Sequence, residues 1–341
     1  MTARPRVRDL TEARQGLTVE VLAAPAFEIL AHVFVFMTGR EEPGDYGVGP
    51  AWFEQVAEAA GPDLVERLDA ISPCGEAWLA LLGDAYDAPG ERTVEDLLTA
   101  IREAGGEEIR ERLLWMLRRE PADEASEKRQ ALRFLEDMDS AAVPALLADL
   151  LEEYDRRVFH GGLETVEVLA RDAEEKRAMA RTMAPERLVE QATNGITFSA
   201  TPDTGGIVLI PSVAMRPWVT ITEHRGLRIF QYGVSEEVLS ADPLAPPAWL
   251  VNFYKALADE RRLQILRMVK DGSMTFTDLT ERLGLAKSTV HHHIRTLRGA
   301  GLIRVIVGEE HRYELRTDAV PEAGRLLEGY LGGPGTEGTS R

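Results

Sequence analysis

The residues of this chain best suited to chemistry lie in one short stretch near its C-terminal end. From Leu285 to Val305 the sequence contains four lysines and arginines and no aspartate or glutamate. Short hydrogen-bond donors stand among these cations, a mixture typical of side chains that contact DNA bases and phosphates. We therefore predict DNA contacts from Lys287, Ser288, Thr289, His291, His292, Arg295, Arg298, Arg304 and Arg312.

Metal binding and catalysis are the competing chemistries. His291, His292 and His293 are consecutive, but neighbouring residues of a helix point about 100° apart and cannot converge on one ion. We expect His293 to be a half-buried packing residue, and we expect no metal site and no cofactor. The sequence has no GxSxG, HExxH, CxxC or phosphate-binding glycine loop, so we expect no catalytic residues and no enzymatic activity.

The elements that position these side chains follow from periodicity. An apolar stripe at helical spacing runs to Gly284, a residue suited to a helix end. A second periodic run over 287–299 follows, and its buried side is predicted to hold Val290, Ile294 and Leu297. Alternating β-formers then indicate a hairpin over 302–315 with its turn at 308–310. Helix, turn, helix and hairpin together predict a winged helix-turn-helix, whose second helix enters the major groove of DNA.

The stretch 247–317, about a fifth of the chain, resembles the DNA-binding domain of the ArsR family of bacterial transcription regulators. KALADERRLQILRMV (255–269) is similar to the family's opening ALADPTRLRIL pattern. LAKSTVHHHIRTLRGAGLI (285–303) is similar to its recognition helix and the junction that follows. One departure is Ala286, where the family usually has a serine that caps the helix; a missing cap costs about 1 kcal/mol.

The resemblance implies a dimer that reads a palindromic operator. In the family the first and last helices of this domain form the dimer, so the implied contacts here are Trp249, Phe253, Leu257, Leu326, Leu327 and Leu331. Two family metal sites do not carry over. The helix before the recognition helix has no cysteine, and the last helix has no histidine.

The charge of the chain is divided unevenly. The whole sequence of 341 residues has a net charge of −18. The stretch 247–317 has 12 lysines and arginines against 8 aspartates and glutamates, whereas the remainder has 27 against 49. This asymmetry fits a DNA-binding segment attached to an acidic domain that stays away from the phosphates.

The preceding part of the chain is predicted to be a separate helical domain. We expect a tail over 1–16, an N-terminal domain over 17–239, a proline-rich linker over 240–247, the winged helix over 248–331 and a tail over 332–341. The fold class is therefore mainly α with small antiparallel β segments. The segments 17–37 and 207–219 resemble parts of a helical domain of uncharacterised role that larger regulators similar to this one carry.

Within that domain, a strand over 17–22 and a helix over 26–37 come first, and helical patterns follow as far as residue 192. Short strands are then predicted at 196–198, 206–210, 218–222 and 227–232. We expect them to form a small antiparallel sheet, which the 17–22 strand is a candidate to join.

Localisation follows from two features. The apolar run over 19–37 is interrupted by Glu20, Pro25, Glu28 and His32, so it is unsuited to spanning a membrane. Cys74 is the single cysteine, so no disulfide can form within the chain. We expect a cytoplasmic protein.

The sequence as a whole predicts a dimeric repressor whose partners are duplex DNA, a second copy of the chain and a small-molecule effector. The N-terminal domain would sense a non-metal ligand, for which an apolar molecule bound among the helices is one hypothesis. Trp218, His224, Phe230 and Tyr232 are aromatic and polar groups beside the linker that either receive a ligand or the winged helix or form a small core. The alternative is that the domain binds a protein partner and recruits it to DNA or blocks it there.

Overall fold

The computed structural model describes residues 17–40, 43–73, 75–118, 126–163, 165–198, 204–235, 248–306, 311–317 and 319–332. The predicted N-terminal tail, the linker, the wing turn over 308–310 and the C-terminal tail from 333 onward lie outside these residues, as does Cys74. The predicted domain boundaries remain predictions for the same reason.

The N-terminal part is a strand followed by a helical layer. Its elements are β1 (Val19–Val21), α1 (Pro25–Gly39), α2 (Pro50–Ile71), α3 (Leu82–Asp87), α4 (Val94–Glu103), α5 (Gly106–Arg118), α6 (Glu127–Asp137), α7 (Val143–Tyr154), α8 (Val166–Ala180) and α9 (Pro185–Ala192). Helix α1 is apolar on almost every side and is buried accordingly, with Phe27 and Phe36 inaccessible to solvent. Helix α2 is interrupted at Gly61, whose φ is +74° and which precedes Pro62.

A mixed sheet follows the helices, and its strand directions correct the antiparallel arrangement expected from the sequence. The strands after α9 are β2 (Ile196–Thr197), β3 (Gly206–Ser212), β4 (Val219–His224) and β5 (Leu227–Gly233), of which β2 belongs to a second sheet. The sheet order is β1-β3-β5-β4. Strand β1 joins it, as predicted, but β1 and β5 both pair with β3 in parallel, and the β4–β5 pair is antiparallel.

The physical reason lies in β3, which is buried along its whole length. One face of the sheet packs against the helical layer through Val208, Ile210 and Ile229. The other face packs against α8 and α9 through Ile207, Leu209 and other residues. A strand covered on both faces is typical of parallel pairing.

The C-terminal part has the predicted order of helices and strands. It consists of α10 (Ala248–Leu257), α11 (Glu260–Val269), β6 (Met274–Thr275), α12 (Phe276–Leu283), α13 (Lys287–Gly299), β7 (Ile303–Ile306), β8 (Arg312–Leu315) and α14 (Ala319–Gly332). It has its own apolar core, formed around Ile265, Leu279 and Leu297. The predicted fold class, mainly helical with small β segments and a C-terminal winged helix, is confirmed.

The wing sheet contains a strand that was predicted to belong to the N-terminal domain. The sheet has the order β2-β7-β8-β6. Strand β2 comes from the segment assigned to the N-terminal domain, yet it pairs in parallel with β7, with Ile196 opposite Val305. The edge of the wing sheet is therefore covered by the N-terminal part of the chain.

Candidate nucleic-acid interface

Local sequence sets the positions of α12 and α13. Helix α12 begins with a capping box in which the Asp278 amide donates to Thr275 Oγ1 (3.1 Å) and the Thr275 amide donates to Asp278 Oδ2 (3.0 Å). It ends at Gly284, which adopts a left-handed φ of +62°. Helix α13 starts after Ala286, which makes no side-chain cap hydrogen bond, as its sequence predicts.

The two faces of α13 differ as expected. Val290, Ile294 and Leu297 are buried in the winged-helix core. Lys287, Ser288, Thr289, His291 and His292 are exposed. Four of these five line a shallow groove together with Phe276 and Arg295, and the rings of Phe276 and His291 lie 6.3 Å apart. The exposed face presents short donors, imidazoles and cations in one strip, which suits contact with a polyanion.

His293 lies on the buried side of α13 and is only 8% exposed. Its Nδ1 is 4.0 Å from Asp259 Oδ1. Burial lowers the pKa of His293 despite the opposing effect of the Asp259 carboxylate, so the ring is neutral near pH 7. The prediction that His293 is a packing residue is confirmed.

Arg312 lies on β8 and is exposed. Its guanidinium group donates from Nε to Ser273 Oγ (2.9 Å) and from Nη2 to the Ser273 carbonyl (2.8 Å). These bonds hold the wing against the loop before β6. Arg312 is therefore at the surface, opposite Ile306 at the end of the described hairpin that is nearest the wing turn.

The remaining predicted DNA contacts meet the N-terminal part of the chain. The Arg295 and Arg298 guanidinium carbons lie 4.8 and 5.7 Å from the ring centroid of Trp218. Arg298 is half-buried, and burial lowers its pKa. Arg304 Nε lies 2.8 Å from the Glu190 carboxylate. In this arrangement all three cations are occupied by contacts within the chain, a result that local sequence patterns do not predict.

Other contacts complete this interface, which we call the interdomain interface. Its N-terminal side consists of β2, Glu190, Asn194, Pro217 and Trp218, and its winged-helix side consists of α13, β7 and Arg316. Arg316 donates to the Asn194 side-chain oxygen (2.7 Å). A Cβ atom added at Gly299 would lie 3.3 Å from the Pro217 ring, so the end of α13 sits directly on that proline. The N-terminal part thus contacts both the recognition helix and the wing.

Among the four polar and aromatic residues singled out beside the linker, Trp218 meets the winged helix. Phe230 and Tyr232 are buried beneath α8 and α9, where the Tyr232 hydroxyl donates to Asp172 (2.7 Å). His224 contacts Asp87 (3.0 Å). Trp218 therefore packs against the winged helix, whereas Phe230 forms part of a small core, so each of these two predicted alternatives occurs.

The residues predicted for dimerisation are not all accessible. Phe253 is only 4% exposed because α10 packs its ring into the core of its own winged helix, so its surface is not open to a second copy of the chain in this arrangement. Leu257 is partly buried and Leu327 half-buried, whereas Leu331 is 72% exposed. The side chains of Trp249 and Leu326 lie outside the described residues.

Two further observations concern partners and cofactors. In the described ranges, no three or more His, Cys, Asp or Glu side chains are grouped so that they could hold a metal ion. None of the helices in the described part of the chain is both long and apolar enough to cross a membrane.

Comparison with known proteins decides the family. The model described as "Bacterial regulatory protein, arsR family" matches residues 259–305. The HTH-type transcriptional regulator CmtR of Mycobacterium tuberculosis is 36% identical over 84 residues, which is 24% of this chain and 71% of CmtR. This chain belongs to that family. The resemblance inferred from the sequence is confirmed.

Other family members match shorter stretches. The HTH-type transcriptional regulator NmtR of Mycobacterium tuberculosis is 39% identical over 56 residues, 16% of this chain and 47% of NmtR. The transcriptional activator HlyU of Vibrio cholerae is 45% identical over 53 residues, 16% of this chain and 49% of HlyU. The solved structure of reduced HlyU is 34% identical and covers 24% of this chain and 87% of its own, with a TM-score of 0.20. The chain thus spans about half the length of NmtR and of HlyU in these sequence matches.

Proposed function

We propose that this arsR-family chain is a DNA-binding transcriptional repressor that acts in the bacterial cytoplasm. The observation that carries the proposal is the exposed strip on α13 formed by Lys287, Ser288, Thr289, His291 and His292. A recognition helix reads base edges in the major groove with side chains of this kind, while nearby cations contact phosphates. Regulators of this family are usually not enzymes, and no catalytic role is proposed.

The test is selection of bound duplexes from a random pool, followed by fluorescence anisotropy at several salt concentrations. Lys287→Ala should weaken binding to every duplex similarly and lower the salt slope by about one contact. Ser288→Ala and His292→Ala should instead change which sequences are preferred. Arg133→Ala, at an exposed cation on α6, is the matched control and should change nothing. Failure to select any duplex refutes the proposal.

We also propose a two-fold dimer that reads half-sites about one DNA turn, or a multiple of it, apart. Support comes from α10 and α14, which pack together and present Tyr254 (42% exposed) and Leu331 (72% exposed). Leu331→Asp should shift sedimentation toward the monomer and weaken operator binding. Leu163→Asp, at an equally exposed leucine of the N-terminal part, should do neither. A wild-type monomer at micromolar concentration with DNA present contradicts the dimer.

The N-terminal domain is proposed to sense a non-metal effector. The interdomain interface supports this role, because a domain that holds Arg295, Arg298 and Arg304 can change how many cations are available to DNA. The second candidate is a protein-interaction module, favoured by Trp115 on α5 and Phe134 on α6, which are 62% and 40% exposed. If Trp115→Ser abolishes repression in cells without changing operator affinity in vitro, the protein-interaction role is the better description.

A further inference from the structure

Strand β2 brings the end of helix α9 against the wing. Ile196 lies opposite Val305 and Thr197 opposite Ile306, and the Val305 amide donates to the Gly195 carbonyl (3.3 Å). Helix α9 ends at Ala192, only four residues before β2 begins. The pairing of β2 with β7 therefore fixes the last turn of α9 beside the wing.

That last turn carries a carboxylate to a wing cation. Glu190 Oε1 lies 2.8 Å from Arg304 Nε, and the two side chains are 13% and 25% exposed. The other oxygen, Oε2, accepts from Arg187 Nη1 (2.9 Å). Carboxylates and phosphates both offer anionic oxygens to a guanidinium group. Glu190 thus neutralises Arg304 as a DNA phosphate would.

Asn194 makes a second contact at the same place. Its side-chain oxygen accepts from Arg316 Nη1 (2.7 Å). A Cβ atom added at Gly301 would lie 2.5 Å from that oxygen, so the Asn194 side chain packs directly on the turn between α13 and β7. Asn194 itself has a left-handed φ of +52°. The segment between α9 and β2 is therefore fitted to the winged helix by side chains as well as by strand pairing.

Arg295 connects this interface to the surface predicted to bind DNA. It lines the groove on α13 together with His291 and His292, and its guanidinium carbon lies 4.8 Å from the Trp218 ring centroid. A duplex on the exposed strip of α13 would therefore compete with Trp218 for Arg295. It would also approach the N-terminal part, and the sequence outside 247–317 has 27 lysines and arginines against 49 aspartates and glutamates, which repel phosphates.

We propose that the N-terminal part inhibits DNA binding through an autoinhibitory contact, which consists of α9, β2 and Trp218 against Arg304, β7 and Arg295. The contact opens as a unit when the full chain binds a duplex tightly. Opening removes Glu190 from Arg304 and Trp218 from Arg295, and it moves the acidic part away from the phosphates. The proposal rests on the proposed DNA-binding function and names how the same site is regulated.

The expected size follows from the population of the open form. When only the open form binds, the apparent affinity for DNA is reduced in proportion to the open fraction. A substitution that weakens the closed form raises the apparent affinity by the same factor as long as the closed form predominates. Because partly exposed ion pairs contribute modestly, Glu190→Gln should raise the affinity by about two- to fivefold.

The first experiment measures DNA affinity with the full chain. Duplexes are selected with the wild type and with Glu190→Gln in parallel, and anisotropy is then measured at one salt concentration. Glu190→Gln and Asn194→Gly should both bind more tightly than the wild type. Glycine accepts the left-handed φ at position 194, so this substitution removes the side chain without backbone strain. Glu174→Gln, which removes the same charge from an exposed position on α8, is the matched control and should bind like the wild type.

The second experiment measures amide hydrogen exchange, which reports opening independently of affinity. Residues 195–198 belong to the N-terminal part and pair with β7. Their exchange should become faster when the duplex is added, and Glu190→Gln should accelerate it without DNA. Strand β3 pairs within the N-terminal sheet, so its exchange should not change in either case.

The autoinhibitory contact is refuted if neither variant gains affinity, if Glu174→Gln gains as much, or if residues 195–198 keep their protection on DNA. Any of these results together with selective DNA binding refutes this inference alone. If neither the wild type nor Glu190→Gln selects a duplex, the proposed function fails instead. A duplex selected by Glu190→Gln but bound weakly by the wild type is the strongest supporting outcome.

Discussion

Replacing Trp218 with leucine tests whether DNA and the N-terminal domain compete for the recognition helix. Leucine keeps an apolar side chain at this position but removes the aromatic face beneath Arg295 and Arg298, at 4.8 and 5.7 Å from its centroid. The interface should weaken, while the exposed strip on α13 is left intact. We expect Trp218→Leu to increase the affinity for operator DNA.

The magnitude follows from the two contacts. A guanidinium over an aromatic ring contributes about 0.5–1 kcal/mol at an exposed site and about 2 kcal/mol when desolvated. Arg295 is half-buried, and about 1 kcal/mol for its contact corresponds to about a fivefold gain in DNA affinity. One added phosphate contact from Arg295 should steepen the salt slope by about 0.9. Arg298 lies deeper beside Tyr313 and should contribute less to the gain.

The assay is anisotropy of a labelled operator duplex, run as a double-mutant cycle with Arg295→Gln. The gain from Trp218→Leu should disappear when Arg295 is already replaced. Trp115→Leu, the same change at an exposed tryptophan on α5, is the control and should have no effect. Unchanged or weaker DNA binding by Trp218→Leu would mean that Arg295 reaches DNA while it still packs on the Trp218 ring. Competition between DNA and the N-terminal domain would then be refuted.

Three further predictions concern stability. Ala286→Ser should supply the missing cap of α13 and stabilise it by about 1 kcal/mol, seen as slower amide hydrogen exchange in that helix; no slowing would contradict the cap assignment. Burial raises the pKa of Glu28 from 4.5 to about 7, so between these pH values the native state keeps a proton that the unfolded state releases. The free energy of unfolding should therefore fall by about 3 kcal/mol as pH rises from 4.5 to about 7. The urea midpoint of Glu28→Gln should not show that fall, and a pH dependence parallel to that of the wild type would refute the role of Glu28. Burial lowers the pKa of His32 from 6.5 to about 3, so the unfolded state binds a proton below pH 6.5 that the native ring does not, and the free energy of unfolding falls as pH falls. His32→Asn should reduce this fall below pH 6.5. An unchanged dependence of stability on pH would contradict the argument.

Local patterns determined much of the winged helix. The stripe ending at Gly284, the periodic run of α13 and the alternation of β7 and β8 predicted its elements because helix periodicity, caps and hairpins depend on residues close in sequence. The buried and exposed sides of α13, including the packing role of His293, followed from the same 100° step. The unbroken apolar run of β3 also carried a signal of parallel pairing, although it was assigned to an antiparallel sheet.

Only the tertiary structure decided what surrounds the predicted site. Arg304 meets Glu190, and Arg295 meets Trp218, partners about 80 to 110 residues away that no local period relates. The burial of Phe253 likewise depends on how α10 packs within its own domain. Sequence patterns specify which face of an element is apolar, but the partner of that face depends on the simultaneous packing of all elements. The amino-acid sequence alone therefore supplied the prediction of DNA contacts, and only the fold placed three of the predicted residues, Arg295, Arg298 and Arg304, at an interface within the chain.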